Sequence, residues 1–394
     1  MVFGNENVAG TQDTLVSWAQ KQVGDSGANP LNKFKGMVIN MMALKHGIYQ
    51  YLPAYEAEAP HGRTYVPVMT SLPTADSHRL FMDMKPSTSG MSVFTEGSNG
   101  YSTHLMYQQD LLEGDYARTS AMKQMADIES ASMVLSDRAA RDLLYSNPGT
   151  PVVSGNKGTE LDKVSQVKGL YTRFNTKNTA ARVHRGIVDF GGTNTNKQTS
   201  IWLIARGRND VHLQYPMGHN GKGIRREHFA NQLLPTSVDG ATNKVNGYNR
   251  STHDLLFLAT GLVVRKWVCI IRGVNVPSDL LKAGTAGATL LGTKMSDMLT
   301  ALERVESYAA SSSLGTDTAR SADAAFFCNN DTRGAIFKEI YKNQVGGGFS
   351  VADATMEKRN MMMYFAGKPI YKDDGILNTE AVVTTASGRS DNVF

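Results

Sequence analysis

The sequence has little cysteine and no long apolar segment. Its 394 residues include two cysteines, Cys269 and Cys328, which are too few for a disulfide scaffold or a four-cysteine zinc site. Both lie among apolar residues, so we expect buried thiols. The longest apolar runs, such as Met361–Ala366 and Trp267–Ile271, fall far short of the roughly 20 residues that span a bilayer. The first residues lack the basic and apolar regions of a signal peptide, so the sequence predicts a protein made and kept in a reducing cytoplasm.

The sequence also lacks a strong excess of charge of one sign. It has 41 Lys and Arg residues and 36 Asp and Glu residues, which gives a formal net charge of +5. Such a small excess argues against a protein that coats nucleic acid through a basic stripe. The basic residues form short clusters, and the segment His219–Glu227 contains Lys222, Arg225 and Arg226. An exposed polar loop is the commoner meaning of such a cluster, and contact with phosphate or with an acidic neighbouring surface is the alternative.

Motifs for catalysis and for metal binding are missing too. GHNGKG departs from a phosphate loop twice, because Pro216 stands where the first glycine belongs and Gly223 where Ser or Thr should coordinate magnesium. None of the nine histidines has another histidine two to five residues away. The adjacent Asp373 and Asp374 are predicted to lie in a solvated turn. We therefore predict no catalytic, cofactor-binding or metal-binding residues. The alternative is a nucleotide-handling or hydrolytic enzyme that uses GHNGKG or the acidic pair.

Proline content and helical periodicity divide the first part of the chain. Residues 1–50 have the polar composition of an arm with short helical patches. Five of the twelve prolines fall within residues 51–112, so we expect a long β-hairpin or extended loop with little core of its own. Asp115 is suited to cap a helix over 115–146, about 45 Å long. The apolar face predicted for this helix comprises Met122, Met125, Ile128, Ala131, Leu135, Ala139 and Leu143.

The rest of the chain mixes strands and helices without strict alternation, which is typical of an α+β fold and not of a doubly wound parallel sheet. We predict a buried strand at Thr199–Gly207 and a long hairpin over Asp254–Val276. A strand at Ala322–Asn330 leads into a helix that Asp331 or Thr332 caps. The other elements predicted are helices at Ser278–Gly284 and Thr293–Glu306, and a closing strand and turn over Met361–Leu377.

Four stretches in fixed order carry a resemblance to a known family. They are the helix end Leu143–Val152 with Lys168–Asn175, then Val188–Ile224, Gly261–Val276 and Phe365–Val383. The second is the most specific, with GGT, the TSIWL strand and the YP-x-G turn in order. Together they resemble the major capsid proteins of tailed, short-tailed-type bacteriophages with the Hong-Kong-97-type fold. Arg206 departs from the family pattern, where a tryptophan is expected, and Arg265–Lys266 make the third stretch more basic than usual.

The resemblance implies a division of the chain into four parts. Residues 1–52 would form an N-terminal arm, and residues 53–112 the extended loop, a β-hairpin that reaches across the adjacent subunit. Residues 113–275 would form the peripheral domain with its spine helix at 115–146, whose sheet is shared with the C-terminal strand. Residues 276–394 would supply the axial domain and the C-terminal segment. Such a chain would leave parts of its core to be completed by its neighbours.

The resemblance also implies a function and a set of partners. The chain would be a virion structural protein, without enzymatic activity, that assembles as pentameric and hexameric capsomers into an icosahedral shell around double-stranded DNA. Its expected partners are other copies of itself, a scaffolding protein, a portal, a possible decoration or cement protein and DNA on the inner face, with no membrane. Assembly would take place in the cytoplasm of the host bacterium. A decoration or tail-tube protein is the alternative within the virion.

Charge and position single out two groups of candidate contact residues. Glu56, Glu58 and Arg63 on the predicted extended loop are candidates for salt bridges between subunits. Lys222, Arg225 and Arg226 are candidates for contact with a neighbouring subunit or with DNA phosphate.

Overall fold

The computed structural model describes part of the chain, in thirteen segments. They are residues 45–59, 62–71, 90–108, 116–146, 167–174, 186–217, 223–235, 248–266, 269–277, 290–302, 323–343, 349–351 and 363–384. The first 44 residues of the predicted arm, Asp115, Lys222 and the predicted helix Ser278–Gly284 lie outside these segments.

Five helices and fourteen strands are present in the described segments. The helices are α1 Gly47–Tyr51, α2 Tyr116–Tyr145, α3 Leu170–Arg173, α4 290–302 and α5 Asn330–Asn343. The strands are β1 Ala54–Glu56, β2 Thr64–Ser71, β3 Gly90–Glu96, β4 Ser98–Gln108, β5 Ile187–Asp189, β6 Gln198–Ala205, β7 Val211–Tyr215, β8 Ile224–Pro235, β9 Tyr248–Val264, β10 Ile270–Pro277, β11 Ala324–Cys328, β12 Phe349–Val351, β13 Met363–Phe365 and β14 Lys368–Lys372. None of the helices is long and apolar enough to cross a membrane, within the residues described.

The larger sheet has seven strands in the order β12-β13-β14-β11-β6-β10-β5. Strand β6 lies inside it, with antiparallel neighbours β11 and β10 on its two sides. Every residue of β6 is buried, as are those of β11. The apolar run Ile201–Ala205 in β6 therefore reflects burial on both faces, and the buried strand predicted at Thr199–Gly207 is confirmed.

The second sheet is organised around the 17-residue strand β9. Strand β4 pairs with one side of β9, while β8 and β7 pair with successive parts of its other side, all antiparallel. Strand β1 extends the sheet by parallel pairing with β7. The hairpin predicted over Asp254–Val276 is wrong, because β9 ends at Val264 and β10 begins in the other sheet. Its apolar pattern cannot distinguish two strands that pair with each other from two that diverge into separate sheets.

The described part of helix α2 presents the apolar face that the sequence predicts, and the side chains of Met122 and Met125 lie outside the described residues. Its buried positions include Ile128, Ala131, Leu135, Ala139 and Leu143, while Val134 on the other side is exposed. It packs against β4, β9 and α3. The small residues Ser132 and Ser136 are also buried, and their hydroxyls donate to backbone carbonyls of the same helix, which satisfies them without an outside partner.

Helix α5 follows β11 after a single residue, as predicted, but its cap lies earlier than expected. The Asn329 side-chain oxygen accepts a hydrogen bond from the Thr332 backbone N–H at 2.7 Å. Asn329 is therefore the capping residue, in place of Asp331 or Thr332. The described part of the helix predicted at Thr293–Glu306 corresponds to α4, and the closing strand over Met361–Leu377 is observed as the antiparallel pair β13 and β14.

We predict that Leu144→Ala in helix α2 lowers the free energy of unfolding by about 2–5 kcal/mol, because the side chain is fully buried and its removal leaves a cavity. Val134→Ala on the exposed side of the same helix is the matched control, and it should change stability by less than about 0.5 kcal/mol. Urea unfolding followed by circular dichroism measures both. Equal effects of the two substitutions would contradict the packing described for α2.

Candidate functional site

Strands β2 and β3 pair as a hairpin. We call the chain around the start of β2 and the end of β3, with residues 56–63 that lead into it, the root of the hairpin, and three of the predicted contact residues lie there. Glu56 ends β1 and is exposed. The Glu58 side chain is 49% exposed and forms an ion pair with Arg265. Arg63 precedes β2, and its buried Nε has no hydrogen-bond partner among the residues described. The structure thus brings these three residues to one region of the molecule, where Glu56 is exposed, Glu58 is in an ion pair and the Arg63 Nε lacks a partner.

The basic residues of the second predicted group point in different directions. Arg225 and Arg226 are successive residues of β8, so their side chains project to opposite faces of the sheet. The Arg225 side chain is 61% exposed and pairs with Glu227 on the same strand. Arg226 makes two hydrogen bonds of 3.1 and 3.0 Å to the carboxylate of Asp254, which is fully buried. The cluster seen in the sequence is therefore not a single basic surface.

Gln214 in β7 fixes the root of the hairpin. Its buried side-chain nitrogen lies 3.1, 3.2 and 2.9 Å from the carbonyl oxygens of Gly62, Glu96 and Gly97. Its side-chain oxygen accepts a hydrogen bond of 2.5 Å from the Thr64 hydroxyl. One amide therefore connects both strands of the hairpin to the second sheet. Nothing in the sequence around Gln214 indicates this role.

An ion pair between Glu96 and Arg173 adds a second attachment at the same root. The guanidinium of Arg173 in α3 contacts both carboxylate oxygens of Glu96, with an Nη1–Oε1 distance of 2.6 Å. Both side chains are largely buried, so the pair is shielded from screening by solvent. The hairpin root is consequently joined to α3, and through α3 to the end of α2.

A buried arginine lies at the centre of one polar cluster. The guanidinium of Arg272 in β10 is 0% exposed and lies 2.8 Å from the Glu380 carboxylate, which is 2% exposed. Its Nε donates to the Ser200 hydroxyl at 2.9 Å, and Nη1 donates to the carbonyl of Phe174. Its guanidinium carbon also lies 4.2 Å from the ring centroid of Tyr171. An arginine within the apolar segment IIRGVNV is the sequence signal that could have indicated this cluster.

Glu380 connects the C-terminal segment to helix α2 and to the larger sheet. Its carboxylate accepts hydrogen bonds from Tyr145 at the end of α2 and from Ser200 in β6. Burial and the negative charge of Glu380 raise the pKa of Tyr145, so the phenol stays protonated and donates to Glu380. The phenol oxygen also accepts the Leu377 backbone N–H at 2.9 Å.

His46 forms a second buried cluster where the described chain begins. Its Nδ1 lies 3.0 Å from Asp373 Oδ1, and its Nε2 lies 3.0 Å from Asp137 Oδ1. Asp373 is fully buried and also accepts the backbone N–H groups of Ile48 and Gly375. The expectation that both aspartates lie in a solvated turn is therefore wrong for Asp373, while the Asp374 side chain is 40% exposed. The sequence gives no signal for this pairing, because His46 and Asp373 are 327 positions apart.

These clusters join chain segments that are distant in the sequence. Within the residues described, no group of three or more His, Cys, Asp or Glu side chains is arranged to hold a metal ion. The two cysteines are buried thiols that form no disulfide, as the sequence predicts, and burial raises the pKa of Cys328 to about 12. Of the GHNGKG segment, only Gly223 is described. It has a φ of +84°, and its carbonyl accepts the Ala259 N–H at 2.8 Å, so it acts as the turn residue that leads into β8.

Comparison with known proteins gives one family and a set of solved structures. A family model described as major capsid protein GP7 matches residues 31–384, a range that includes every described segment. No curated protein matches the chain. A chain in the structure of bacteriophage Epsilon15 is similar, with a TM-score of 0.54 and 15% identity over 85% of this chain and 88% of that one. This likeness shows a shared fold.

Two further structures resemble the chain more weakly. The capsid of a native GTA particle has a TM-score of 0.35 and 9% identity, over 59% of this chain and 90% of that one. A chain of Mycobacterium phage Bobi has a TM-score of 0.33 and 12% identity, over 64% and 93% of the two chains.

We predict that Glu380→Leu destabilises the chain by about 3–5 kcal/mol, because it leaves the Arg272 guanidinium buried without a counter-charge. The double variant Arg272→Met/Glu380→Leu should recover part of that loss, since it removes both charges. Asp374→Asn, an exposed change in the same segment, is the control and should have little effect. Unfolding midpoints in urea give the order, and a double variant less stable than Glu380→Leu would refute the role assigned to the pair.

Proposed function

Because the chain belongs to the GP7 family of major capsid proteins, it is a subunit of a phage capsid shell, and we propose that this shell is icosahedral and built from pentamers and hexamers. The observation that carries the proposal is the family match, which spans residues 31–384. The fold shared with the Epsilon15 chain over 85% of this chain supports it. Closed shells of this kind require heterologous contacts around five-fold and six-fold positions.

We propose the Hong-Kong-97-type arrangement for the parts of the subunit. Residues 1–52 are the N-terminal arm, and residues 53–112 are the extended loop. The peripheral domain covers 113–275, with α2 as its spine helix, and residues 276–394 form the axial domain and the C-terminal segment. The exchange of strands between sequence-distant regions supports a shared peripheral sheet, since β14 pairs with β11 beside β6.

The proposed partners follow from the role of a shell. Double-stranded DNA would lie on the inner face, and a scaffolding protein and a portal would take part in assembly in the bacterial cytoplasm. A decoration or cement protein would bind the completed shell in the virion. A modest net charge of +5 is suited to a shell that contains DNA, because a strongly basic lining would bind the genome.

The β2–β3 hairpin is the part of the subunit for which a contact with a neighbouring subunit is best supported. In the described residues, the two strands form a sheet with each other alone. An isolated two-stranded hairpin is only marginally stable in water, so a partner surface is needed to hold it. The Tyr65 side chain at its start is 48% exposed, which provides apolar area for such a contact.

Among the charged residues of the hairpin root, Arg63 is the strongest candidate for a contact between subunits. Arg63 is half-buried, its Nε lacks an acceptor in the described part of the chain, and its positive charge can pair with a carboxylate of a neighbouring subunit. Glu58 already pairs with Arg265, so a partner would compete with that bond. Glu56 is exposed at the end of β1 and can meet a cation of a neighbouring subunit.

For contact with a neighbour or with DNA phosphate, Arg225 is the residue to test first, because most of its side chain is exposed. Arg226 has two guanidinium nitrogens bonded to Asp254, so its substitution would disturb the fold as well as any contact. Lys222 remains a candidate on its charge alone.

We also propose that the chain has no enzymatic activity. The family role and the burial of Asp373, which removes that carboxylate from any substrate, support this.

We predict that the expressed chain, alone or with a scaffolding protein, forms capsomers or megadalton shells. Size-exclusion chromatography with light scattering measures the mass, and negative-stain microscopy shows the shape. Rings without shells would favour a tail-tube protein, and binding only to preformed shells would favour a decoration protein. A compact monomer or dimer with catalytic turnover would overturn the proposal in favour of an enzyme.

We predict that Arg63→Glu and Arg225→Glu, made separately, each lower the yield of shells several-fold while the subunit stays folded. Each reversal would place like charges opposite each other at a contact. Lys197→Glu, an exposed reversal in the turn before β6, is the matched control and should assemble normally. Sedimentation separates shells from subunits, and circular dichroism checks the fold. Normal numbers of DNA-filled shells from either variant would remove that residue from the interface.

A further inference from the structure

We propose that His46 is a proton-operated clasp that fastens residues 45–51 to helix α2 and to the turn at 373–376, and that its contact with α2 opens first when the imidazole loses its proton. The clasp rests on contacts within one chain and stands whether or not the shell role does. If that role holds, the clasp lies where the proposed arm meets the body of the subunit.

The hydrogen-bond geometry requires two donors on the His46 ring. Nδ1 and Nε2 each lie 3.0 Å from a carboxylate oxygen, of Asp373 and Asp137 respectively. A neutral imidazole carries one N–H, so it can donate to one carboxylate only, and its other nitrogen would present a lone pair to the second. The imidazolium donates to both. The ring is held at this position because His46 is 1% exposed.

The charges around His46 balance when it is protonated. Lys45 Nζ lies 3.2 Å from Asp137 Oδ2, so two cations, Lys45 and His46, face two carboxylates. The backbone of Asp374 donates to the Lys45 carbonyl at 3.0 Å, and its carboxylate lies 3.9 Å from Lys372. The titratable and charged groups that face the cluster are Lys45 and Tyr49 on its own segment, Asp137 on α2, Asp373, Asp374 and Lys372 near the turn, and Cys328 on β11.

The direction of the His46 pKa agrees with this geometry. Burial lowers the pKa, but the hydrogen bonds and charges of Asp373 and then of Asp137 more than offset it, so the pKa is raised above the usual 6.5. The clasp therefore contributes its full stabilisation below that value and loses it as pH rises through the raised pKa. Burial also raises the pKa of Tyr49 and of Cys328, so both stay neutral over this range. The pKa of Asp137 is lowered, since His46 and Lys45 outweigh its partial burial, and this preserves the clasp on the acid side.

Asp373 and Asp137 differ in the hydrogen-bond donors that remain to them when the His46 ring loses a proton. Asp373 is 0% exposed, and without the remaining ring N–H it would have only the backbone donors of Ile48 at 3.2 Å and Gly375 at 2.9 Å. Asp137 is 37% exposed, so water can replace His46, and it retains Lys45. Because a buried carboxylate is costlier to leave short of donors, the single proton of the neutral ring stays with Asp373. The contact with α2 is the one that opens.

The test measures thermal unfolding midpoints of the full-length chain from about pH 6 to about pH 9, the range in which histidine changes charge. The variants are Asp137→Asn and the matched control Asp127→Asn, which lies on the same helix and is half-buried. At the acid end of this range, we expect the unfolding midpoint of the wild type to lie about 2 °C or more above that of Asp137→Asn. That difference should shrink by at least half at the alkaline end, while the effect of Asp127→Asn stays constant.

A difference between wild type and Asp137→Asn that stays constant or widens with pH would overturn the clasp. The order of opening has its own readout in Asp373→Asn, which should lower the midpoint at both ends of the range. Equal pH profiles for Asp373→Asn and Asp137→Asn would overturn that order. Should Asp373→Asn fail to fold, the comparison of Asp137→Asn with Asp127→Asn still decides the main question.

Discussion

The burial of the Arg272 guanidinium is the constraint on which much of the capsid subunit depends. A cation without access to water must find a counter-charge and hydrogen-bond acceptors inside the protein. Glu380 supplies the charge, Ser200 and the Phe174 carbonyl supply acceptors, and the Tyr171 ring covers one side. Meeting these demands fixes the C-terminal segment, the chain after α3 and two strands of the larger sheet relative to one another.

The same solution recurs wherever a carboxylate is buried in the described segments. Besides Glu380, Asp373 pairs with His46, Asp254 with Arg226, Glu96 with Arg173 and Asp210 with Lys266. Each pair joins segments that lie at least 28 positions apart in the sequence. The interior charges thus serve the fold of one subunit, and the contacts that we propose between subunits involve other groups, such as Tyr65 and Arg63.

Local patterns in the sequence predicted local structure well and long-range pairing poorly. The apolar face of α2 and the buried strand β6 follow from periodicity and composition, which depend on neighbours in the chain. The false hairpin over Asp254–Val276 shows the limit, because pairing partners are not encoded in the pattern of a strand. Sequence patterns also indicated a solvated Asp373 and grouped Arg226 with Arg225. Both expectations failed because the burial of a charge depends on a partner elsewhere in the chain. For Arg226 that partner is Asp254, 28 residues away. The capsid function was inferred from the family resemblance and not from the physical patterns, and the family match confirms that function.

The separation of Arg272 and Glu380 along the chain has a consequence for the order of synthesis. The ribosome makes Arg272 first and Glu380 only 108 positions later. During that interval the guanidinium has no native counter-charge, so the sheet around it cannot reach its final packing. A chain that ends before Glu380 therefore lacks the counter-charge that the buried Arg272 guanidinium requires. Such a truncated chain would carry the cost of a buried, uncompensated charge and would be less stable than a chain that contains Glu380.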